Sequence, residues 1–201
     1  MSARTSAIDS AAAWNDRDLA QREETVRLGL WIFLATVAML FAAFTSAYVV
    51  RRSGSDWTRI NLPAVLWLNT VILAASSLVL EAGAWFGRRR QWVAASGSLG
   101  AALALGAGFL LGQAQAWRQL MDAGVFLPAS PHSSFFYMMT GAHAVHVVAA
   151  LAVLGWASVR TWIGEGRSDF RRWTSTLGTA RTFWHFLFGV WAVVFLVLSV
   201  Y

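Results

Sequence analysis

The chain contains no cysteine, and only 13% of its 201 residues are charged. The absence of cysteine excludes disulfide bonds, thiolate metal sites and haem attached through cysteine. Lysine is absent as well, so all 16 basic residues are arginine, and the formal net charge is +6. These arginines separate apolar runs and do not form one basic patch, so they indicate contact with lipid headgroups and not with nucleic acid.

Apolar residues dominate what is present, at 57% of the chain with 12 Trp and 13 Phe. Soluble domains have a charged share of about 25%, so this composition is that of an integral membrane protein. Five runs are long enough to cross a bilayer as helices. They cover residues 27–50, 63–86, 92–117, 134–159 and 182–201. The predicted fold is therefore an all-α bundle of five transmembrane helices, with residues 26–201 as one domain.

Residues 1–25 are polar and mixed in charge. They lack the apolar core and the small-residue cleavage site of a secretory signal, so we expect them to remain as a cytoplasmic tail. Its Ser- and Ala-rich first half is expected to be mobile, whereas a charged helix is expected from Asp16 onward.

The distribution of arginine predicts the orientation of the bundle. Twelve arginines fall on the side of the N-terminus, namely Arg4, Arg17, Arg22, Arg27, Arg88, Arg89, Arg90, Arg160, Arg167, Arg171, Arg172 and Arg181. Only four fall on the other side, namely Arg51, Arg52, Arg59 and Arg118. The positive-inside bias therefore places the N-terminus in the cytoplasm and the C-terminus on the periplasmic side.

The third span has a small residue at every fourth position. The stripe consists of Ser96, Gly100, Ala104, Gly108 and Gly112. Small residues allow two helix backbones to approach closely in a membrane, so this span is expected to lie against a neighbouring helix.

The fourth span contains two histidines, His143 and His146, on one helix face. A polar face inside a membrane must meet protein or trapped water, so we expect both side chains to be buried in the bundle. Together with Thr140, Gly141 and Val147 they form a T-G-x-H-x-x-H-V motif. This motif resembles the signature of subunit III of the haem-copper terminal oxidases.

Three other spans carry similar matches in the same order. The first span resembles the family through Trp31, Phe33, Leu34, Thr36, Met39 and Phe41, and the second through Leu68–Thr70 with Ser76 and Ser77. The last span resembles it through Trp184, His185, Phe186, Val190 and Trp191. Two family positions differ, because Val37 replaces an intramembrane glutamate and Phe188 replaces an aspartate.

The resemblance implies a non-redox accessory subunit of a respiratory oxidase, most simply a bacterial cytochrome c oxidase of the inner membrane. Such a subunit packs beside oxidase subunits I and II in a hetero-oligomeric complex, stabilises the catalytic subunit, holds phospholipid and supports proton uptake during oxygen reduction. Haem and copper are then expected in the partner subunits, with no catalytic residue, cofactor or metal in this chain. Family members often have seven helices, and this chain aligns with the last five.

Other functions are open at this stage. A related subunit of a nitric oxide reductase would carry much the same motifs. A small transporter is disfavoured, because the chain lacks repeated halves and several intramembrane charges. An independent b-haem protein would need two histidines at matched depth on facing helices. Counting from Arg160 and Arg181, His146 and His185 lie at roughly 21 Å and roughly 6 Å, so the depths disagree.

The residues themselves favour a polar interior over a metal site. A catalytic zinc takes three protein ligands, whereas two histidines on one helical turn supply two. We therefore expect His143 and His146 to be hydrogen-bonded within a buried polar cluster.

Glu81 is the only acidic residue within the predicted spans. We expect it to pair with His185 at a shared depth, with snorkelling toward Arg88–Arg90 as the competing outcome. The predicted proton-related polar cluster thus comprises Glu81, His185, His143 and His146. At the membrane interface, Arg27, Arg51, Arg52 and Trp31 are the predicted lipid-binding residues, since a guanidinium binds phosphate bidentately.

Overall fold

The computed structural model describes residues 2–58 and 60–200, with side-chain surroundings for residue 21 and for residues 24–58, 60–164 and 166–200. Arg59 lies outside the described residues, as do the side chains of Arg4, Arg17 and Arg22. The chain divides into two compact units, Met1–Thr36 and Val37–Tyr201. The first unit is helical from Ser2, so the helix begins earlier than the expected start at Asp16.

Helices account for nearly all of the described residues. They are α1 (Ser2–Arg51), α2 (Val65–Arg88), α3 (Trp92–Asp122), α4 (Pro131–Trp162), α5 (Glu165–Ser168) and α6 (Phe170–Val200). Five of them are long and apolar enough to span a membrane, with residues Glu24–Arg51 as the apolar part of α1. The predicted all-α multi-pass fold is confirmed.

Two helices begin earlier than their predicted spans. The fourth span was predicted from residue 134, but α4 begins at Pro131, which occupies the first turn, where its missing N–H costs no hydrogen bond. Ser130 caps this helix, since its side chain accepts from the Ser133 N–H and the Ser133 hydroxyl accepts from the Ser130 N–H. The fifth span was predicted from residue 182, but α6 begins at Phe170. Asp169 accepts from the Arg172 N–H at 3.0 Å and so caps α6.

Helices α2, α3, α4 and α6 enclose the core. Helix α2 packs on α3, α3 on α4, α4 on α6 and α6 on α2. Side-chain hydrogen bonds join each neighbouring pair, among them Ser76 to the Ala102 carbonyl, Trp117 to Thr140, Trp173 to Thr161, and Trp191 to Thr70. Because lipid tails compete with apolar side chains, such bonds contribute to helix association in a membrane.

The small-residue stripe of α3 only partly meets its neighbours. A Cβ atom at Gly112 would collide with the Asn69 amide on α2, whereas one at Gly108 would meet open space. Ala104 is exposed. A four-residue repeat drifts around a helix with 3.6 residues per turn, so the middle of the stripe leaves the interface. A second close approach on α3 is at Gly106, outside the stripe, where the Trp184 ring and the Leu151 side chain fill the space of a Cβ.

The 37–51 segment of α1 contacts α4 along a narrow seam. Phe41 lies edge-on to the rings of His143 and His146, with centroids 6.3 and 5.9 Å apart. Two turns later, Tyr48 is fully buried and contacts His132 and Phe135. This seam leaves a groove between α1 and α6.

Candidate functional site

An ionic cluster joins α2 to α6 within their membrane-spanning segments. The Glu81 carboxylate accepts a hydrogen bond from Arg181 Nε at 2.9 Å through Oε1 and a second from Arg181 Nη2 through Oε2. His185 Nε2 lies 2.7 Å from the same Oε1. A carboxylate bound to a guanidinium is ionised and can only accept, so His185 must carry its proton on Nε2. We call Glu81, Arg181 and His185 the ionic cluster.

The geometry of the ionic cluster follows from helix periodicity and from arginine chemistry. Arg181 and His185 are four residues apart and therefore share one face of α6. The planar guanidinium matches the two carboxylate oxygens, which fixes the orientation of Glu81. The side chains of Glu81, Arg181 and His185 are 38%, 28% and 36% exposed. The cluster is thus built into the helix contact and open along one edge.

The expected contact between Glu81 and His185 is present, but sequence analysis missed Arg181. Sequence analysis assigned Arg181 to the membrane boundary. In the structure, Arg181 lies eight residues beyond Trp173 on α6, and the Trp173 ring adjoins Gly87 near the end of α2. This separation is about 12 Å along the helix axis. The sequence does contain the relevant pattern: Arg181 and His185 are four residues apart, so a carboxylate that reaches the His185 imidazole also lies beside the Arg181 guanidinium.

The competing outcome, Glu81 reaching Arg88–Arg90, is not the arrangement found. The Arg89 guanidinium stacks 4.0 Å above the Trp85 ring, and the Arg90 guanidinium lies 4.0 Å above the Phe170 ring. Arg90 also donates to the Gly166 carbonyl at 3.4 Å. These arginines therefore bind aromatic rings and backbone at the end of α2, away from the carboxylate.

His143 and His146 do not join the ionic cluster through hydrogen bonds to Glu81. His143 is fully buried and adjoins the rings of Phe109 and Trp191, the latter six residues beyond His185 on α6. Neither nitrogen of its ring has a hydrogen-bond partner among the described atoms. The expectation of a hydrogen-bonded His143 is therefore wrong, because aromatic side chains surround it.

His146 has a different environment from that of His143. Its Nδ1 lies 2.7 Å from the Ala142 carbonyl oxygen of its own helix. A carbonyl accepts, so Nδ1–H is the donor. Among the described residues, no group of three or more His, Asp or Glu side chains is arranged to hold a metal ion.

Three of the predicted lipid-binding residues, Arg27, Trp31 and Arg51, are exposed, whereas Arg52 is half-buried. Arg27 is exposed, and Trp31 is 59% exposed. Arg51 binds the Asp56 carboxylate through two nitrogens, at 2.8 and 2.5 Å. These hydrogen bonds hold the pKa of Asp56 below its usual value. Arg51 would therefore have to share its guanidinium with a lipid phosphate, unlike Arg27.

The fold and the ionic cluster define an all-helical, multi-pass membrane protein whose polar chemistry lies inside its helix bundle. Residues 8–201 match the family model described as cytochrome c oxidase subunit III. The chain belongs to this family, and this makes it an accessory component of an oxidase complex.

Named relatives agree with the family match. The chain is 31% identical over 191 residues to a probable cytochrome c oxidase subunit 3 of Mycobacterium bovis, with 88% of each chain covered. It is 30% identical over 189 residues to cytochrome c oxidase subunit 3 of Thermostichus vulcanus, with 86% of each covered. A haem-copper oxidase subunit I+III of Aeropyrum pernix is 28% identical over 185 residues, which are 86% of this chain and 22% of that protein.

Proposed function

We propose that this chain stabilises the catalytic subunit of a bacterial haem-copper oxidase and supports its proton uptake, without binding haem or copper itself. The observation that carries the proposal is the family match over residues 8–201. The Aeropyrum pernix relative adds support, since its name assigns subunits I and III to one polypeptide. Subunits I and II are the proposed partners, and the inner membrane is the proposed location.

The ionic cluster is the proposed contribution to proton uptake. Its carboxylate and imidazole are in direct contact, at 2.7 Å between Glu81 Oε1 and His185 Nε2. Both groups can gain and lose protons, and both lie on the half of the bundle nearer to Arg88–Arg90. With the N-terminus in the cytoplasm, this is the side from which an oxidase takes protons. Ionisable side chains within membrane spans commonly serve such relays.

Phospholipid binding is proposed at the two ends of Glu24–Arg51, the membrane-spanning part of α1. Arg27 and Trp31 are exposed on one turn, where a guanidinium and an indole both favour the headgroup region. Arg51 and Arg52 lie at the opposite end. Lipid held there would fill the helix surface that neighbouring subunits leave uncovered.

The test is affinity purification of the tagged chain from membranes in mild detergent. We expect haem-containing polypeptides of an oxidase to co-purify and to give its absorption spectrum, whereas the chain expressed alone should be colourless. Stoichiometric haem on the isolated, folded chain would refute the proposal. Co-purification with polypeptides that lack haem would refute it equally.

A further inference from the structure

Three buried polar side chains from different helices lie in one layer of the four-helix core. They are Asn69 of α2, Gln113 of α3 and His143 of α4, each at most 1% exposed. Asn69 donates to the Phe109 carbonyl at 3.4 Å, and the Phe109 ring lies edge-on to His143 with centroids 5.7 Å apart. We call Asn69, Gln113 and His143 the polar layer. Polar side chains this deep in a membrane bundle need hydrogen-bond partners inside it.

The register of α3 against α4 brings Gln113 level with His143. Trp117 on α3 donates to Thr140 on α4 at 3.1 Å. Two turns earlier on α3, Phe109 lies beside His143, which is further along α4. The two helices are therefore antiparallel, and the turn before Trp117 meets the turn after Thr140. Gln113 and His143 occupy these two turns, and both side chains are buried in the helix contact.

The polar atoms of these two side chains are unpartnered within the part of the chain that the structure describes. They are Oε1 and Nε2 of Gln113 and both ring nitrogens of His143. Oδ1 of Asn69 has no partner there either. Trp191, whose ring centroid lies 5.1 Å from that of His143, cannot serve, since its N–H already donates to Thr70 at 3.0 Å. Burial without a partner costs free energy, so these atoms call for a polar ligand.

A direct bond between Gln113 and His143 would leave part of this demand unmet. The two imidazole nitrogens lie on different edges of the ring, so one amide group binds at most one of them. In a neutral imidazole one nitrogen donates and the other accepts. A water molecule both donates and accepts, and buried waters commonly make about three hydrogen bonds. Water is therefore the small ligand whose chemistry matches a facing amide and imidazole.

We propose that the polar layer binds an internal water molecule, held between the Gln113 amide and the His143 ring. This water joins α3 to α4 inside the core. It is separate from the ionic cluster, because Asn69 precedes Glu81 by twelve residues on α2, about 18 Å along the helix axis. The buried side chain of Leu73 fills part of that interval. The site lies within this chain, so the proposal does not rest on the proposed function.

A cryo-electron microscopy map of the chain in its membrane complex, at a resolution that shows ordered water, tests the site directly. We expect a density peak within about 3.2 Å of polar atoms of both Gln113 and His143. The absence of such a peak, whether or not the two side chains touch, would overturn the proposal.

X-ray radiolysis gives an independent readout, because hydroxyl radicals formed from a bound water oxidise the side chains beside it. Phe109 and Phe136 are both fully buried. Phe109 adjoins His143, whereas Phe136 lies seven residues before His143 on α4, about 10 Å along the helix axis. Mass spectrometry of the purified complex should find Phe109 oxidised several-fold faster than Phe136. Equal rates would refute a water beside His143.

A variant links this readout to the amide. Gln113→Leu removes both polar atoms and changes the side-chain volume little. Leu120→Met is the matched control, because Leu120 is 2% exposed on the same face of α3 and this exchange also preserves volume. Gln113→Leu should lower the oxidation of Phe109 to the level of Phe136, and Leu120→Met should leave it at the wild-type rate. Unchanged oxidation in Gln113→Leu would contradict a water held by the amide. If Gln113→Leu does not assemble, the comparison of the two phenylalanines in the wild type decides.

Discussion

Glu81 has its two carboxylate oxygens divided between neighbours on one face of α6. The guanidinium of Arg181 fixes the plane of the carboxylate, while the imidazole of His185 approaches a single oxygen. A proton on His185 Nε2 is thus one hydrogen bond from the carboxylate. Arg181 keeps that carboxylate ionised, and so able to accept.

Glu81→Gln tests whether this contact moves protons. The amide keeps the size of the side chain and one oxygen acceptor, so assembly with the partner subunits should be retained. Turnover of the oxidase should slow, and more so as the pH rises, because fewer protons are then available to whatever route remains. Oxygen consumption by the purified complex between pH 6 and 9 measures the effect.

A pH profile that matches wild type would leave Glu81 with a structural role only. Glu81→Leu provides the comparison for that role, since it leaves Arg181 without its carboxylate. Loss of hydrogen bonds to a charged group lowers the free energy of unfolding by about 1.5–3 kcal/mol, and the partial exposure of the ionic cluster makes the loss smaller. Reduced thermal stability in Glu81→Leu, with a normal pH profile in Glu81→Gln, would separate the two roles.

At this scale, sequence reasoning succeeded where two residues had complementary chemistry at matched depth. It placed Glu81 beside His185 for that reason. The prediction failed for His143, because the side chains around its ring, among them Phe109 and Trp191, come from other helices. No spacing in the sequence links these residues to His143. Burial could be predicted from the span, but the partners could not.

Among the connections, residues 52–64 between α1 and α2 are held by His132 at the start of α4. The Ile60 N–H donates to His132 Nδ1 at 3.1 Å, so Nδ1 is unprotonated and Nε2 carries the hydrogen. Nε2 lies 3.3 Å from the Tyr48 hydroxyl, to which it donates. The Trp57 ring stacks on the imidazole at 5.0 Å. One buried histidine therefore ties this connection to two helices.

His132→Phe should loosen this connection. Phenylalanine retains an aromatic ring for Trp57 but removes the acceptor for Ile60, so amide exchange at Ile60 should accelerate by up to about tenfold, the equivalent of one hydrogen bond. Hydrogen–deuterium exchange with mass spectrometry of peptides covering 52–64 measures it. His146→Phe is the control, since its Nδ1 bonds within α4; equal exchange in both variants would contradict the proposed tie.

Helix types and approximate spans were predictable from apolar runs, whereas helix ends were not. The fourth span was predicted from residue 134, but α4 begins at Pro131, because proline fits the first turn of a helix, where its missing N–H is not needed. The fifth span was predicted from residue 182, but α6 begins at Phe170, after Asp169, which is a typical N-cap residue. Composition gives the membrane-crossing part of a helix, and capping chemistry gives its ends.

For the molecule as a whole, the predicted orientation can be tested because single cysteines can be introduced into a chain that has none. Ala129→Cys lies in the exposed connection before α4, and Ser168→Cys lies at the end of α5 among the arginines. A membrane-impermeant maleimide should label Ala129→Cys in spheroplasts. It should reach Ser168→Cys only after the membrane is opened, as a cytoplasmic N-terminus requires.

The reverse pattern would show an inverted bundle and would place the ionic cluster on the side away from proton uptake. The unmodified chain serves as the blank, since it gives the reagent no thiol. Orientation is a property that the sequence predicts through charge counts alone, and no contact inside the bundle depends on it.

The unequal lengths of the helices have a consequence for the surrounding bilayer. With 31 residues, α6 measures roughly 46 Å, against a hydrocarbon core of roughly 30 Å. Tilt alone would have to approach 50°, beyond the usual range of about 0–40°, so some turns must remain in the headgroup layer. Arg171 and Arg172 place these turns at the start of the helix. In a thicker membrane, another turn at the start of α6 can therefore enter the hydrocarbon core. The helices that hold Glu81 then need not change their tilt.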